Sequence, residues 1–181
     1  MTRKHVSVGI HVPSAAVASL GSGEAYAEFF RQVEALGLDG IWTEDRLFHS
    51  ANLLDSVVLL AWAAANTRRI QLGTAVLVLN LRHAVVAARQ ASTLAHLSGG
   101  RLALGVSLGG RPNEYQGLGV PVERRVAMFR ESLAVLRQLL TGQAVAYRGW
   151  RSGNVGLWRS RCTVRRLSPT WCAIASSVQP C

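Results

Sequence analysis

The sequence predicts an α/β fold over residues 1–147, a parallel sheet covered by helices, followed by an irregular basic tail. Three observations carry this. Apolar runs alternate with amphipathic helical patterns about every 30 residues. The runs are near-continuously apolar, as in strands buried on both faces. The composition then changes abruptly after Tyr147. Two closures fit such a pattern, an open doubly wound sheet or a barrel of the (β/α)8 TIM type. Four strand–helix units make half of such a barrel, which usually runs to about 250 residues.

Each element follows from local signals. His5–Val12 alternates toward a first strand. Ser22 is placed to cap a helix with Tyr26, Phe29, Phe30, Val33 and Leu36 on one face, and Gly37 suits its left-handed stop. Leu38–Thr43 is the second strand. Asn52 is placed to cap the next helix, with Leu53, Val57, Leu60 and Ala64 inward. Ile70–Leu79 is a strongly apolar third strand. Arg82–Leu97 carries Ala84, Ala87, Ala88, Ala91, Leu94 and Ala95 as a helical stripe, ended by Ser98-Gly99-Gly100. Arg101–Ser107 is the fourth strand. Val126, Phe129, Leu133, Leu136 and Leu140 form the seam of a last helix, stopped by Gly142.

Charge and cysteine follow the same division. The chain has 181 residues and a formal net charge of +10. Residues 1–147 hold 14 of the 20 basic residues and all 10 acidic ones, so the excess lies in the last fifth of the chain. The high pI therefore describes the tail rather than the domain, and no nucleic-acid partner is expected. All three Cys and three of the five Trp lie beyond residue 147, and no His follows residue 96. Their spacing fits no zinc pattern, so no metal site is expected. No apolar run reaches the ~18 residues of a membrane helix, and the start lacks the pattern of a signal peptide. A cytoplasmic protein without a membrane partner is expected. The 148–181 segment shows no helical or strand period. Arg outnumbers Lys 19 to 1, the signature of a GC-rich gene. The segment reads as a frameshifted translation of such a gene, with a divergent basic tail as the alternative.

In parallel barrels the chemistry sits where strands end. That rule selects His11 to Ser14, Thr43 to His49, Thr74 to His83 and Ser107 to Glu114. His11 reads as a donor or base over a bound ring, or as a histidine satisfied at a strand end. Glu44 and Asp45 read as substrate ligands, or as rim partners of Arg46. His49 carries an imidazole suited to proton transfer. The Gly73-Thr74 pair inside a buried strand marks a bulge with close ligand approach, or a tight strand–helix contact. Asn80 either begins the next helix or offers its amide to a ring. The glycines around Ser107 match no phosphate-loop motif, but they permit sharp turns and close approach to a flat ligand.

Taken in order, these segments resemble the luciferase-like monooxygenase family. The resemblance covers about residues 5–147. It is closest from Ile70 to Gly142, through Leu-Gly-Thr-Ala-Val, Leu-Arg-His-Ala-Val-Val-Ala-Ala-Arg-Gln, Thr-Leu-Ala-His-Leu-Ser-Gly-Gly-Arg-Leu-Ala-Leu-Gly-Val and Gly-Gly-Arg-Pro-Asn-Glu-Tyr. It implies the first half of a (β/α)8 barrel and a flavin enzyme. Such an enzyme uses reduced FMN with oxygen, or an 8-hydroxy-5-deazaflavin coenzyme for hydride transfer, on a small organic substrate. By position, Thr74, Ala75, Asn80 and Ser107 are implied at the cofactor, with the substrate over the ring toward the second-strand loop of Glu44 and Asp45, where His49 is the nearest counterpart of the family's histidine. His11 is a catalytic candidate from its strand end alone. Homodimerisation through the helices after strands two and three is also implied. The sequence departs from the family in one place, carrying Asp45-Arg46 where relatives often carry a substrate-facing His. The family holds the cofactor phosphate largely with loops of the second half-barrel. An inactive half-barrel and a basic-tail interaction protein are the competing readings.

Overall fold

A computed structural model describes residues 7–13, 20–51, 53–147 and the backbone of 150–151. Ser14, Asn52 and the tail from residue 152 lie outside the described residues. The elements are β1 (Gly9–His11), α1 (Gly23–Ala35), β2 (Gly40–Thr43), α2 (Ser56–Asn66), β3 (Gln71–Val78), α3 (Ala84–Leu97), β4 (Leu102–Ser107), α4 (Pro112–Gly117), α5 (Arg125–Leu140), β5 (Ala146–Tyr147) and β6 (Trp150–Arg151). Single 3-10 turns at Leu79–Leu81 and Val122–Arg124 precede α3 and α5.

The four main strands lie in chain order, β1-β2-β3-β4, and every pairing is parallel. Helices pack in the same order, α1 on α2, α2 on α3 and α3 on α5. This is the arrangement of half a (β/α) barrel. On the helix side Ile41, Leu72 and Leu102 meet Phe30, Leu60, Ala88 and Leu136 in one apolar core. Each large aliphatic or aromatic side chain buried there contributes roughly 1.5–3 kcal/mol.

Local signals set the helix ends. The Ser22 hydroxyl accepts from the Ala25 N–H, and Gly37 takes φ +77°. For α2 the cap is Asp55, whose carboxylate accepts from Val57 and Val58 N–H. The cap therefore lies three residues beyond the expected Asn52, and Asp55 is also tied to Arg82. The seam of α5 is rotated from the expected one. Ser132, Val135, Leu136, Leu139 and Leu140 are buried, whereas Val126 is 48% exposed. Only the C-terminal half of that helix lies fully on the core. A short hairpin of β5 and β6 crosses the expected boundary at 147. Two-residue strands leave no alternation to read, and Tyr147 is buried against the core.

The other face of the sheet has a different character. Side chains alternate across a strand, so Trp42 and Gly73 lie opposite Ile41 and Leu72. The Trp42 indole lies across Gly9, Gly40 and Gly73. A β-carbon on Gly9 would stand 2.3 Å from indole Nε1, and one on Gly73 would stand 2.1 Å from Cζ3. Glycine in all three strands is what lets a large ring lie against the sheet.

Candidate active site

The C-terminal edge of the sheet is organised around one buried ion pair. Asp45, just past β2, is almost wholly enclosed. Its Oδ1 accepts from Arg82 Nη2 at 2.7 Å and from the Ser56 hydroxyl at 3.3 Å. Its Oδ2 accepts from the Val78 N–H at 2.9 Å. Arg82 also reaches Asp55 at 3.1 Å. Burial works against the Arg82 charge, but the bond to Asp45 outweighs it and the guanidinium is held firmly protonated. Burial raises the Asp55 carboxyl, yet its bonds from Val58 N–H and Arg82 bring it below the usual range. The post ties the β2 loop, the end of β3 and the start of α2 together. Asp45, expected at the substrate, has both oxygens engaged and faces no open space. Glu44 lies 3.7 Å from Arg46, in the rim pairing that the sequence offered as the alternative.

Beside this post β3 is irregular. Its register with β4 shifts between Thr74 and Leu77, and the Ala75–Val76 peptide is cis. This is the expected bulge. Thr74 is buried and its hydroxyl donates to the Gly105 carbonyl at 2.7 Å, which fastens β3 to β4. The bulge presents Ala75 instead, which is exposed. Ser107, at the end of β4, is half-buried and accepts from the Gly109 N–H at 3.3 Å.

Asn80 sits in the 3-10 turn after β3 and does not cap α3. His83 holds that position, with no side-chain cap bond. The Asn80 amide nitrogen donates to the Tyr115 hydroxyl and to the Arg125 carbonyl, each at 2.8 Å. A carbonyl only accepts, so the amide orientation is fixed. Tyr115 in turn donates to the Leu108 carbonyl. Asn80 Oδ1 is left buried and without a hydrogen-bond partner, as is Glu114 Oε1. A buried acceptor without a donor costs about 1–3 kcal/mol.

The two histidines stand apart. His11 ends β1, exposed, in register with Trp42. His49 lies on the β2 loop, also exposed, and its Nδ1 accepts from the Ala51 N–H at 3.0 Å. A neutral ring so fixed carries its proton on Nε2 and presents a donor. The next residue back, Phe48, packs on α4. A β-carbon on Gly117 would stand 2.9 Å from its ring. Loop and helix thereby flank an open cleft of about 360 Å³ lined by Phe48, His49, Ser50, Arg111 and Asn113. Sequence reasoning singled out neither Arg111 nor the Tyr115 relay. The pairing of Asp45 with Arg82 had one usable signal, because both follow the ends of neighbouring strands.

Comparison with known proteins decides the family. The luciferase-like monooxygenase family matches residues 3–177. The chain belongs to that family. The match includes residues 148–177, which composition set apart. The chain is 34% identical over 156 residues to 4-hydroxyprotoasukamycin monooxygenase of Streptomyces nodosus subsp. asukaensis, covering 84% of this chain and 42% of that protein. It is 37% identical over 131 residues to an F420-dependent glucose-6-phosphate dehydrogenase of Kineococcus radiotolerans, covering 68% and 39%. Its fold resembles the oxygenating constituent of 3,6-diketocamphane monooxygenase from Pseudomonas putida, solved with FMN. The TM-score is 0.71 at 19% identity, covering 83% of this chain and 44% of that one. The chain thus spans less than half the length of the curated relatives named here. The relatives include both flavin and F420 enzymes, and all three are oxidoreductases by name. No helix among the described residues is long and apolar enough to cross a membrane. No group of metal-ligating side chains occurs among them either.

Proposed function

We propose that this chain carries the ring-binding half of a flavin-dependent oxidoreductase site of the luciferase-like type, with FMN as cofactor or a deazaflavin coenzyme as the alternative. One observation carries the reading. At the C-terminal edge of the sheet an exposed bulge at Ala75 adjoins a turn whose Asn80 holds a buried acceptor without a donor. A flat ring with an imide N–H fits both features, the first as a surface for close approach and the second as the missing donor. Ser107 closes the same edge from β4. A bound flavin or deazaflavin supplies the electron and hydride chemistry.

The chain's own residues position and protonate. Ala75 and the backbone of the bulge hold the ring. Thr74 keeps that backbone in place through Gly105. Asp45 and Arg82 fix the β2 loop, and Glu44 faces the small organic substrate from it. His49 donates through Nε2, and His11 approaches from β1. Proton transfer by a histidine held near its target contributes typically 10²–10⁴-fold. Oxygen or a hydride acceptor is the second substrate. Homodimerisation belongs to the same reading. On α2, Val58 is 69% and Trp62 43% exposed beside an apolar groove of about 390 Å³.

Titrating FMN, riboflavin and a deazaflavin coenzyme while following their fluorescence tests the proposal. Saturable quenching is expected, and Ala75→Phe should abolish it by filling the bulge surface. Quenching that ignores Ala75→Phe, or no binding of any ring, would end the reading. The sheet edges at β1 and β4 favour a second reading for the isolated chain. Among the described residues neither pairs with a further strand. A half-barrel of this kind binds weakly and turns over little. Robust oxygen- or coenzyme-linked turnover by the 181-residue chain would exclude that second reading.

A further inference from the structure

We infer that the substrate side of this site is built to hold an anionic group, a carboxylate or a phosphoryl oxygen, through Arg111 and His49. The pocket between the β2 loop and α4 is lined by donors. His49 offers Nε2, since Nδ1 already accepts from Ala51. Ser50 and Asn113 add a hydroxyl and an amide, and Arg111 adds a guanidinium. Arg111 makes no ion pair with any described residue. A second pocket of about 280 Å³ shares His49 and Ser50 and extends to Arg46. Among the described residues no acidic side chain lines either space. Arg46 is already paired with Glu44 at 3.7 Å, so the donors left to a guest are those of His49, Ser50, Asn113 and Arg111.

The arrangement is held rather than incidental. Phe48 lies against Gly117, where a β-carbon would stand 2.9 Å from its ring. That contact seats the β2 loop on the helix that follows β4. His49 and Arg111 come from different strand ends and line one open cleft beside that contact. A planar fork of donors with a neighbouring imidazole N–H matches the oxygens of a carboxylate or phosphoryl group. A volume of about 360 Å³ is at the small end of ligand sites. That this anion lies beside a flavin ring rests on the reading above. Capture of the anion rests on Arg111 and His49 alone.

The test titrates the full chain with inorganic phosphate and, separately, with acetate, at fixed ionic strength, by calorimetry. Riboflavin is titrated in parallel, because it lacks the cofactor phosphate. One of the two anions should bind more tightly than the other, which identifies the source of the group. Arg111→Gln should weaken that binding about tenfold or more, and His49→Gln by several-fold. Arg111→Lys should recover part of it, since charge returns without the fork. Arg130→Gln, an equal loss of charge on α5, should leave it unchanged. All four variants should unfold at the wild-type denaturant concentration and bind riboflavin as the wild type does. Equal anion binding by wild type and Arg111→Gln would overturn the inference, as would an equal loss in Arg130→Gln. Undetectable anion binding with intact riboflavin binding would overturn it and leave the flavin reading standing. Arg111-dependent anion binding without riboflavin binding would support it and remove the flavin reading.

Discussion

The two ends of the sheet do different things with the same kinds of residue. At the N-terminal edge three charged groups, Arg101, Glu34 and Asp39, close on the backbone. The Arg101 guanidinium donates to the carbonyls of Ala64, Thr67, Ile70 and Ser98 and to the Thr67 hydroxyl. The Glu34 carboxylate accepts from the N–H groups of Arg68, Arg69 and Ile70. Asp39 accepts from the Val8 N–H. At the C-terminal edge one ion pair is sealed, and around it groups stay available. These are Ala75 on the bulge, His49 and Arg111, and the Asn80 amide oxygen is buried there without a donor. The lower edge fixes strands to helices, while the upper edge leaves exposed groups beside its sealed pair, and the proposed site rests on these. Four predictions test that division.

The largest effect is expected at the one sealed post of the upper edge. Asp45→Ala leaves Arg82 buried beside Asp55 alone and strips Val78 and Ser56 of an acceptor. Breaking a buried pair by removing one partner costs about 3–5 kcal/mol. Urea unfolding should show that loss. Riboflavin affinity should fall as well, because the post holds the bulge strand. A variant that loses stability but binds riboflavin unchanged would separate the post from the site.

Next comes Arg101→Ala. It leaves four carbonyls at the lower edge without their donor, and about 2–4 kcal/mol should be lost. Here the comparison is sharpest, since riboflavin and anion binding measured well below the unfolding transition should stay as in the wild type. A selective fall in either would show that the lower edge shapes the site.

How much of this was legible in the sequence follows the same line between local and distant causes. Ser22 and Gly37 act within one helix end, and their roles could be read from spacing. The strands and their parallel order followed from the apolar runs, and the Gly73-Thr74 pair marked the bulge. Asp55 was missed as the cap of α2, and its bond from Arg82, 27 residues away, is a pairing that local spacing does not reveal. The α5 seam slipped because Phe129 and Leu133 are only half-buried, while Ser132, a polar residue, faces the core. Asn80 was marked as a ring partner, but its nitrogen is engaged by Tyr115 and Arg125 and only its oxygen remains. Arg111 was passed over because its meaning comes from His49 across the pocket. Single-residue chemistry was legible, and pairings across strand ends were not.

Acid should distinguish the edges by a smaller margin. Burial raises the Glu34 carboxyl, but bonds from the N–H groups of Ile70, Arg69 and Arg68, with the Arg69 charge, hold it below the usual range. The folded value thus lies under the unfolded one. Stability from Glu34 is complete above the unfolded value and is lost as pH falls through the folded one. Glu34→Gln should cost about 1 kcal/mol at neutral pH and nothing once the carboxylate is protonated. Asp55 shifts the same way, so the variant flattens only part of the acid limb. An unchanged limb would mean that these N–H groups do not depend on the charge.

The smallest effect on stability should come from Ser107→Ala. Its hydroxyl is half-buried and accepts one 3.3 Å bond from Gly109, so the unfolding midpoint should move by no more than about 0.5 kcal/mol. Its place at the end of β4, beside the bulge, gives the substitution another measurable consequence. If the upper edge holds a ring, riboflavin affinity should drop several-fold while stability stays level, the reverse of Arg101→Ala. The two variants together then cross the comparison in both directions. If Ser107→Ala leaves riboflavin binding untouched, the ring contacts lie on the β3 side alone, and Ala75 with Asn80 must account for them.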